Sequence, residues 1–215
     1  MKSMIKKNLI IVDFQFDLAH PSGAFPVPDG MSIKDPINQL LKKGKFDFVV
    51  ATKNVHPQNY YSFKNSKNNI LPPDLKILPM HCIAGLPGQE LMIPPEYDVY
   101  IDYILNKGRN KNISANSAFR NIDIKTGKIY PTGLGDILRP RNADVGYLER
   151  YVYICGLAFD RAVMQTALDA KVYAHNVFVI SDATRAMNAS VDNVDGVIKK
   201  LMSREIKVTD IENAI

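Results

Sequence analysis

Several short stretches of this sequence end on side chains that could do acid–base, nucleophilic or metal chemistry. Asp13 follows the apolar run Leu9, Ile10, Ile11 and Val12. Asn54 and His56 follow a second apolar run, Lys107 follows a third, and His81 lies in the segment between them. A carboxylate beside an ammonium group forms an acid–base pair, and a cation near a thiol favours the nucleophilic thiolate. Asn-x-His with a distant His could supply nitrogen and oxygen donors to a metal, although donors at such spacing often arise by chance. Taken singly, each residue also has a structural role open to it. Asp13 could cap a loop, Lys107 could be a solvated surface lysine and His81 could be a satisfied loop histidine. The positions gain meaning only if the fold brings them together.

The elements that would do so are legible as hydrophobic runs. Residues 8–13, 46–52, 100–105, 151–155, 177–181 and 206–208 read as six strands, and the first two have the composition of strands buried on both faces. Helical spacing appears at Ile37, Leu40 and Leu41 after Ser32, a predicted N-cap. It recurs at Val163, Ala167, Ala170 and Ala174, and at Val194, Val197, Ile198 and Leu201 within 191–202. Residues 132–139 read as a short helix, and 107–119 as a polar loop. Residues 57–95, rich in Asn, Pro and Lys, read as a long ordered excursion over the strand ends. Strands alternating with helices predict a three-layer α/β/α fold around a mostly parallel sheet of about six strands, with residues 1–215 as one domain. In such sheets ligands collect at the carboxyl ends of the strands. The sharp turn at Gly156, between the fourth strand and its helix, is the element on which the predicted site depends.

Composition sets the outer limits. At 215 residues, 46% hydrophobic and 23% charged, the chain is ordinary for a water-soluble globular protein, and no run approaches the roughly 20 apolar residues of a membrane span. Lys2, Lys6 and Lys7 precede an apolar run too short for a secretory signal, so a cytoplasmic location is expected, with Cys82 and Cys155 reduced. The net charge of +5 is spread over single lysines without an aromatic–basic motif, which argues against nucleic acid as a partner.

Six separated segments in order resemble the nicotinamidase branch of the isochorismatase-like hydrolases. They are LIIVDFQ at 9–15, GAFPVPDG at 23–30, TKNVHPQNYYSF at 52–63, PMHCIAGLPGQEL at 79–91, Lys107-Gly108 with Ser117-Ala118-Phe119, and residues 155–170. The resemblance implies a cysteine amidase fold of NAD salvage. Asp13 would take the thiol proton, Lys107 would stabilise thiolate and aspartate, and the amides of Ala158 and Ala162 would form an oxyanion hole. It also implies a cis peptide entering Ala158, and a zinc or iron ion on the residues at positions 54, 56 and 81.

Two positions depart from that pattern. The family motif Gly-Leu-Ala-x-Asp-x-Cys-Val reads Gly156-Leu157-Ala158-Phe159-Asp160-Arg161-Ala162-Val163, so the nucleophilic cysteine is alanine. Cys155, seven residues earlier, and Cys82 read as core or structural residues. Asn54 stands where the family has a metal-binding aspartate, and Tyr60 where many relatives have a further histidine. A neutral amide oxygen compensates a dication poorly, so the expectation is a weakened zinc or iron site on Asn54, His56 and His81, or none. Three functions then compete: an amidase scaffold without covalent catalysis that binds a small aromatic amide, a related metabolite or a partner; an isochorismatase-type hydrolase using Asp13 as general acid; or an engineered, inactivated nicotinamidase.

Overall fold

The structure is a computed structural model that describes residues 4–63, 77–138, 148–174 and 176–215. Its centre is a six-stranded sheet. In chain order the strands are β1 (Met4–Val12), β2 (Phe48–Asn54), β3 (Tyr103–Lys107), β7 (Leu148–Leu157), β8 (Asn176–Arg185) and β9 (Ile206–Thr209), arranged β3-β2-β1-β7-β8-β9. Every pairing in this sheet is parallel. The expected three-layer fold is therefore present.

The two faces follow from alternation along β1. Leu9 and Ile11 face one core with Val49, Ala51, Tyr153 and Ile180, covered by helix α2 (Lys34–Lys43) through Ile37, Leu40 and Leu41. Ile10 and Val12 face the other core with Val50, Ile154 and Val179, covered by α4 (Met164–Ala170) and α5 (Val191–Met202). β1 is thus apolar on both sides, as its unbroken Leu/Ile run requires.

Ser32 does not cap α2. It lies in a 3-10 turn, Gly30–Ile33, its hydroxyl donates to the Asp29 carbonyl at 2.8 Å, and Ile33 occupies the N-cap. Two short helices, α1 (Phe16–Ala19) and α3 (Leu134–Ile137), complete the set; Arg139 of the expected 132–139 helix falls outside the described residues. Within 107–119 and beyond it the chain also forms a small antiparallel sheet, β4 (Ile113–Ser114), β5 (Arg120–Asp123) and β6 (Ile129–Pro131), which sequence reading did not anticipate. Strands of two to four residues are too short to display a period of two.

β1 is where connections run outward in both directions, to β2 and β3 on one side and to β7, β8 and β9 on the other. The crevice at the carboxyl ends of β1 and β7 is therefore the switch point of the sheet. Register places Val12 opposite Gly156 and Asn54 opposite Lys107. Gly156 adopts φ +105°, and a Cβ there would lie 2.1 Å from the Val12 carbonyl oxygen, so glycine allows the two strand ends to touch.

Candidate functional site

Asp13 leaves β1 in a left-handed conformation, φ 48°, with 1% of its surface exposed. Its carboxylate accepts hydrogen bonds from Thr52 Oγ1 at 2.5 Å on Oδ1, and from Lys107 Nζ at 2.8 Å and Asn54 Nδ2 at 2.9 Å on Oδ2. Lys107, itself 2% exposed, also donates to the Ala115 carbonyl at 3.0 Å. A buried ammonium and carboxylate are thus mutually compensated and further hydrogen-bonded, the condition for keeping such a pair out of water.

Gln15 fixes the height of Asn54. Its side chain donates to the carbonyls of Asn54 and Gln89 at 2.8 and 2.6 Å and accepts from the Asn54 amide at 2.8 Å. Gln15 and Thr52 both sit inside segments that carry the family resemblance, yet nothing in their spacing marked them as positioning residues.

His56 Nδ1 bonds the Gly108 carbonyl at 3.1 Å, and His81 Nδ1 bonds the Pro79 carbonyl at 2.8 Å. A carbonyl can only accept, so each Nδ1 carries the proton and each Nε2 presents a lone pair. The rings stand edge to face with centroids 5.3 Å apart. Gly108, at φ +66°, makes room for this arrangement, since a Cβ there would come within 2.4 Å of the His56 ring. Burial pushes the His56 pKa down to about 3, with His81 adding to the effect, and burial lowers that of His81 as well. Both imidazoles are neutral near pH 7. Tyr60 stacks on His56 at 3.9 Å between centroids and donates its hydroxyl to the Ile113 carbonyl at 2.7 Å.

On the opposite wall the chain leaves β7 through a cis peptide between Leu157 and Ala158, as the resemblance implied, and passes through one π-helical turn, Phe159–Val163, into α4. Asp160 anchors that turn by accepting from the amides of Met187 and Asn188 and from Asn193 Nδ2. Asp13, Asn54, His56, His81, Ala158 and Ala162 all line one cleft, a cavity of about 90 Å³. Lys107 reaches it through Asp13. Its remaining walls include Phe25, Leu78, Leu157 and Met187, with Ser62 and Arg161 among the polar members.

Neither cysteine lines the cleft. Cys155 lies wholly buried within β7, and burial raises its thiol pKa; Cys82 is equally buried, and burial together with the charge of Asp13 raises its own. The cysteines carry no disulfide. Among the described residues no group of three His, Cys, Asp or Glu side chains that could hold a metal ion is gathered; Asn54 lines the same cleft as the two histidines.

A parallel six-stranded sheet with a buried Asp–Lys pair and two histidines at its switch point has the architecture of an isochorismatase-like α/β fold. The profile of the Isochorismatase domain matches residues 7–213, and the chain belongs to that family. Nicotinamidase of Acinetobacter baylyi is 34% identical over 97% of this chain and 98% of its own length. Among solved structures, PnC1 from L. infantum in complex with nicotinate superposes with a TM-score of 0.80 at 25% identity, covering 98% of this chain and 95% of that one. Pyrazinamidase of Pyrococcus horikoshii in complex with zinc gives 0.72 at 29% identity, covering 95% and 99%. Among the described residues no helix is long and apolar enough to cross a membrane.

Proposed function

We propose that this protein is an amidase scaffold of the nicotinamidase type that binds a small aromatic amide or a related metabolite and does not hydrolyse it through a covalent intermediate. The observation that carries this reading is Ala162. It lies in the cleft wall with the acid–base pair, and a methyl group cannot attack a carbonyl. Loss of the nucleophile in a comparable covalent hydrolase costs on the order of 10⁶ in turnover. Among the described residues no other cleft group replaces it. Both thiols are buried elsewhere with raised pKa values. Among the described residues the Ser62 hydroxyl has no hydrogen-bond partner, hence no base to take its proton.

The same reading extends to the metal. The relative from Pyrococcus horikoshii holds zinc. Here the donor set would be two neutral imidazoles and one amide that already spends its N–H on Asp13. Such a set has no anionic member to compensate a dication and fits zinc or iron poorly. The retained Nδ1–carbonyl bonds orient the rings whether or not an ion is bound. Use of Asp13 as a general acid for vinyl ether cleavage is disfavoured, because all three of its hydrogen bonds are received and none is donated.

The test is direct. Purified protein incubated with nicotinamide is expected to release no ammonia above background while nicotinamide or nicotinate binds in calorimetry. Turnover by the unaltered chain would refute the reading.

A further inference from the structure

Among the described residues two charged side chains line the cleft, Asp13 and Arg161, and they are in opposite circumstances. Asp13 is fully engaged by Thr52, Asn54 and Lys107. Arg161 is exposed, and among the described residues its guanidinium has no acidic partner. Its chain neighbour Asp160 is turned away to hold Met187, Asn188 and Asn193, and Asp29 pairs with Arg185 at 3.2 Å. Lys107 cancels Asp13 at 2.8 Å, so among the described charged side chains of the cleft Arg161 is the one left without a counter-charge. A second, independent feature also calls for a ligand. Ser62 belongs to the cleft wall, is 3% exposed, and its hydroxyl has no hydrogen-bond partner among the described residues. A buried hydroxyl without a partner loses free energy that an incoming polar group would restore.

We infer, building on the binding function proposed above, that the cleft selects a small planar carboxylate over the corresponding neutral amide. Arg161 at the mouth pairs with the carboxylate and the Ser62 hydroxyl meets a polar atom of the ligand. Guanidinium matches carboxylate geometry with two parallel N–H donors, whereas a carboxamide offers one carbonyl oxygen and an N–H₂ that faces the cation unfavourably. The apolar walls supply affinity for either ligand, so discrimination rests on Arg161. The protein would thus hold the acid that the family reaction yields, in place of the amide that it consumes.

Calorimetric titration of the full chain with nicotinate and with nicotinamide tests this. Nicotinate is expected to bind more tightly by on the order of tenfold, as a charge-assisted pair implies. Arg161→Ala should abolish that preference by weakening nicotinate alone, and Arg161→Lys should keep part of it. Added NaCl should weaken nicotinate binding in the unaltered chain and leave nicotinamide unaffected. Ser62→Ala should weaken both ligands alike. The melting temperature of each variant reports whether it is folded. Equal affinity for acid and amide, or a preference that survives Arg161→Ala, would overturn the inference while leaving the binding pocket in place. Failure of either molecule to bind would overturn the proposed function with it.

Discussion

Asn54 Nδ2 and Lys107 Nζ donate to the same oxygen of Asp13, at 2.9 and 2.8 Å, from positions directly opposite one another on β2 and β3. An aspartate at position 54 would turn a donor into an acceptor and bring a second carboxylate against Asp13. Lys107 could compensate only one of the two carboxylates, so that arrangement is tolerable only with a second cation close by. Asn54 therefore lets Asp13 and Lys107 stay paired without a metal ion.

That coupling predicts how activity can be returned. Ala162→Cys alone places a thiol at the turn but leaves the neutral donor set, and is expected to remain at background with nicotinamide. Ala162→Cys combined with Asn54→Asp restores both nucleophile and anionic ligand, and is expected to release ammonia when zinc or iron is supplied. A coupled ammonia assay with and without chelator distinguishes the two. Activity in the single variant would show that Asn54 is immaterial.

Zinc affinity can be read without catalysis. Asn54→Asp should bind zinc more tightly than the unaltered chain by on the order of tenfold or more, since one added anionic ligand partly compensates the dication. Competition against a chromogenic chelator measures this. Equal affinities would place the metal determinant outside position 54.

The Asp13–Lys107 pair also carries stability, because both side chains are withdrawn from water, at 2% and 0% exposure. Lys107→Met leaves the Asp13 carboxylate buried with only Thr52 and Asn54 beside it, and should cost about 3–5 kcal/mol in urea unfolding. Replacing both residues, Asp13→Asn with Lys107→Met, should recover part of that loss. A double variant no better than the single one would mean that the lysine stabilises through its bond to Ala115 alone.

Much of this was legible in the sequence for physical reasons. The unbroken apolar run of β1 can only be a doubly buried central strand, and the alternation of strands and helices restricts the sheet to a parallel one. The α5 limits, 191–202, were readable because Val194, Val197, Ile198 and Leu201 repeat at helical spacing, while its Ser190 cap emerged only in the structure. What could not be read was side-chain direction. Nothing in the letters at 13, 52 and 54 states that Thr52 and Asn54 turn toward Asp13, since that depends on the register between β1 and β2. Ser32 misled because Asn, Asp and Ser start 3-10 turns as readily as helices. Arg161 attracted no notice because a lone arginine on a helix is ordinary, and its isolation emerges only once Asp160 is seen bonded elsewhere.

Gly156 sets a sharper structural limit. With φ +105° and the Val12 carbonyl 2.1 Å from a would-be Cβ, Gly156→Ala must either strain the backbone or part β1 from β7. The expected cost is several kcal/mol, about 3 or more, visible as loss of soluble protein or a clear drop in the urea midpoint. An alanine variant of normal stability would mean that the two strand ends do not meet in solution.

Acidity provides the last test. His56 in the folded chain has its pKa lowered to about 3, against 6.5 for the free side chain, so between those values the unfolded chain binds the extra proton. Stability contributed by the neutral ring is therefore fully present above pH 6.5 and is lost progressively as pH falls toward 3. At about 1.4 kcal/mol per unit, the fall from neutrality to pH 5 should cost about 2 kcal/mol from His56. His81 contributes in the same direction, its pKa also being lowered by burial. Urea midpoints measured at several pH values, in the presence of chelator so that no ion competes for Nε2, should show this slope. His56→Gln should reduce it, leaving the part that His81 contributes. A His56→Gln protein with an unchanged slope would place the acid sensitivity in other groups and contradict the neutral, buried state assigned to the ring.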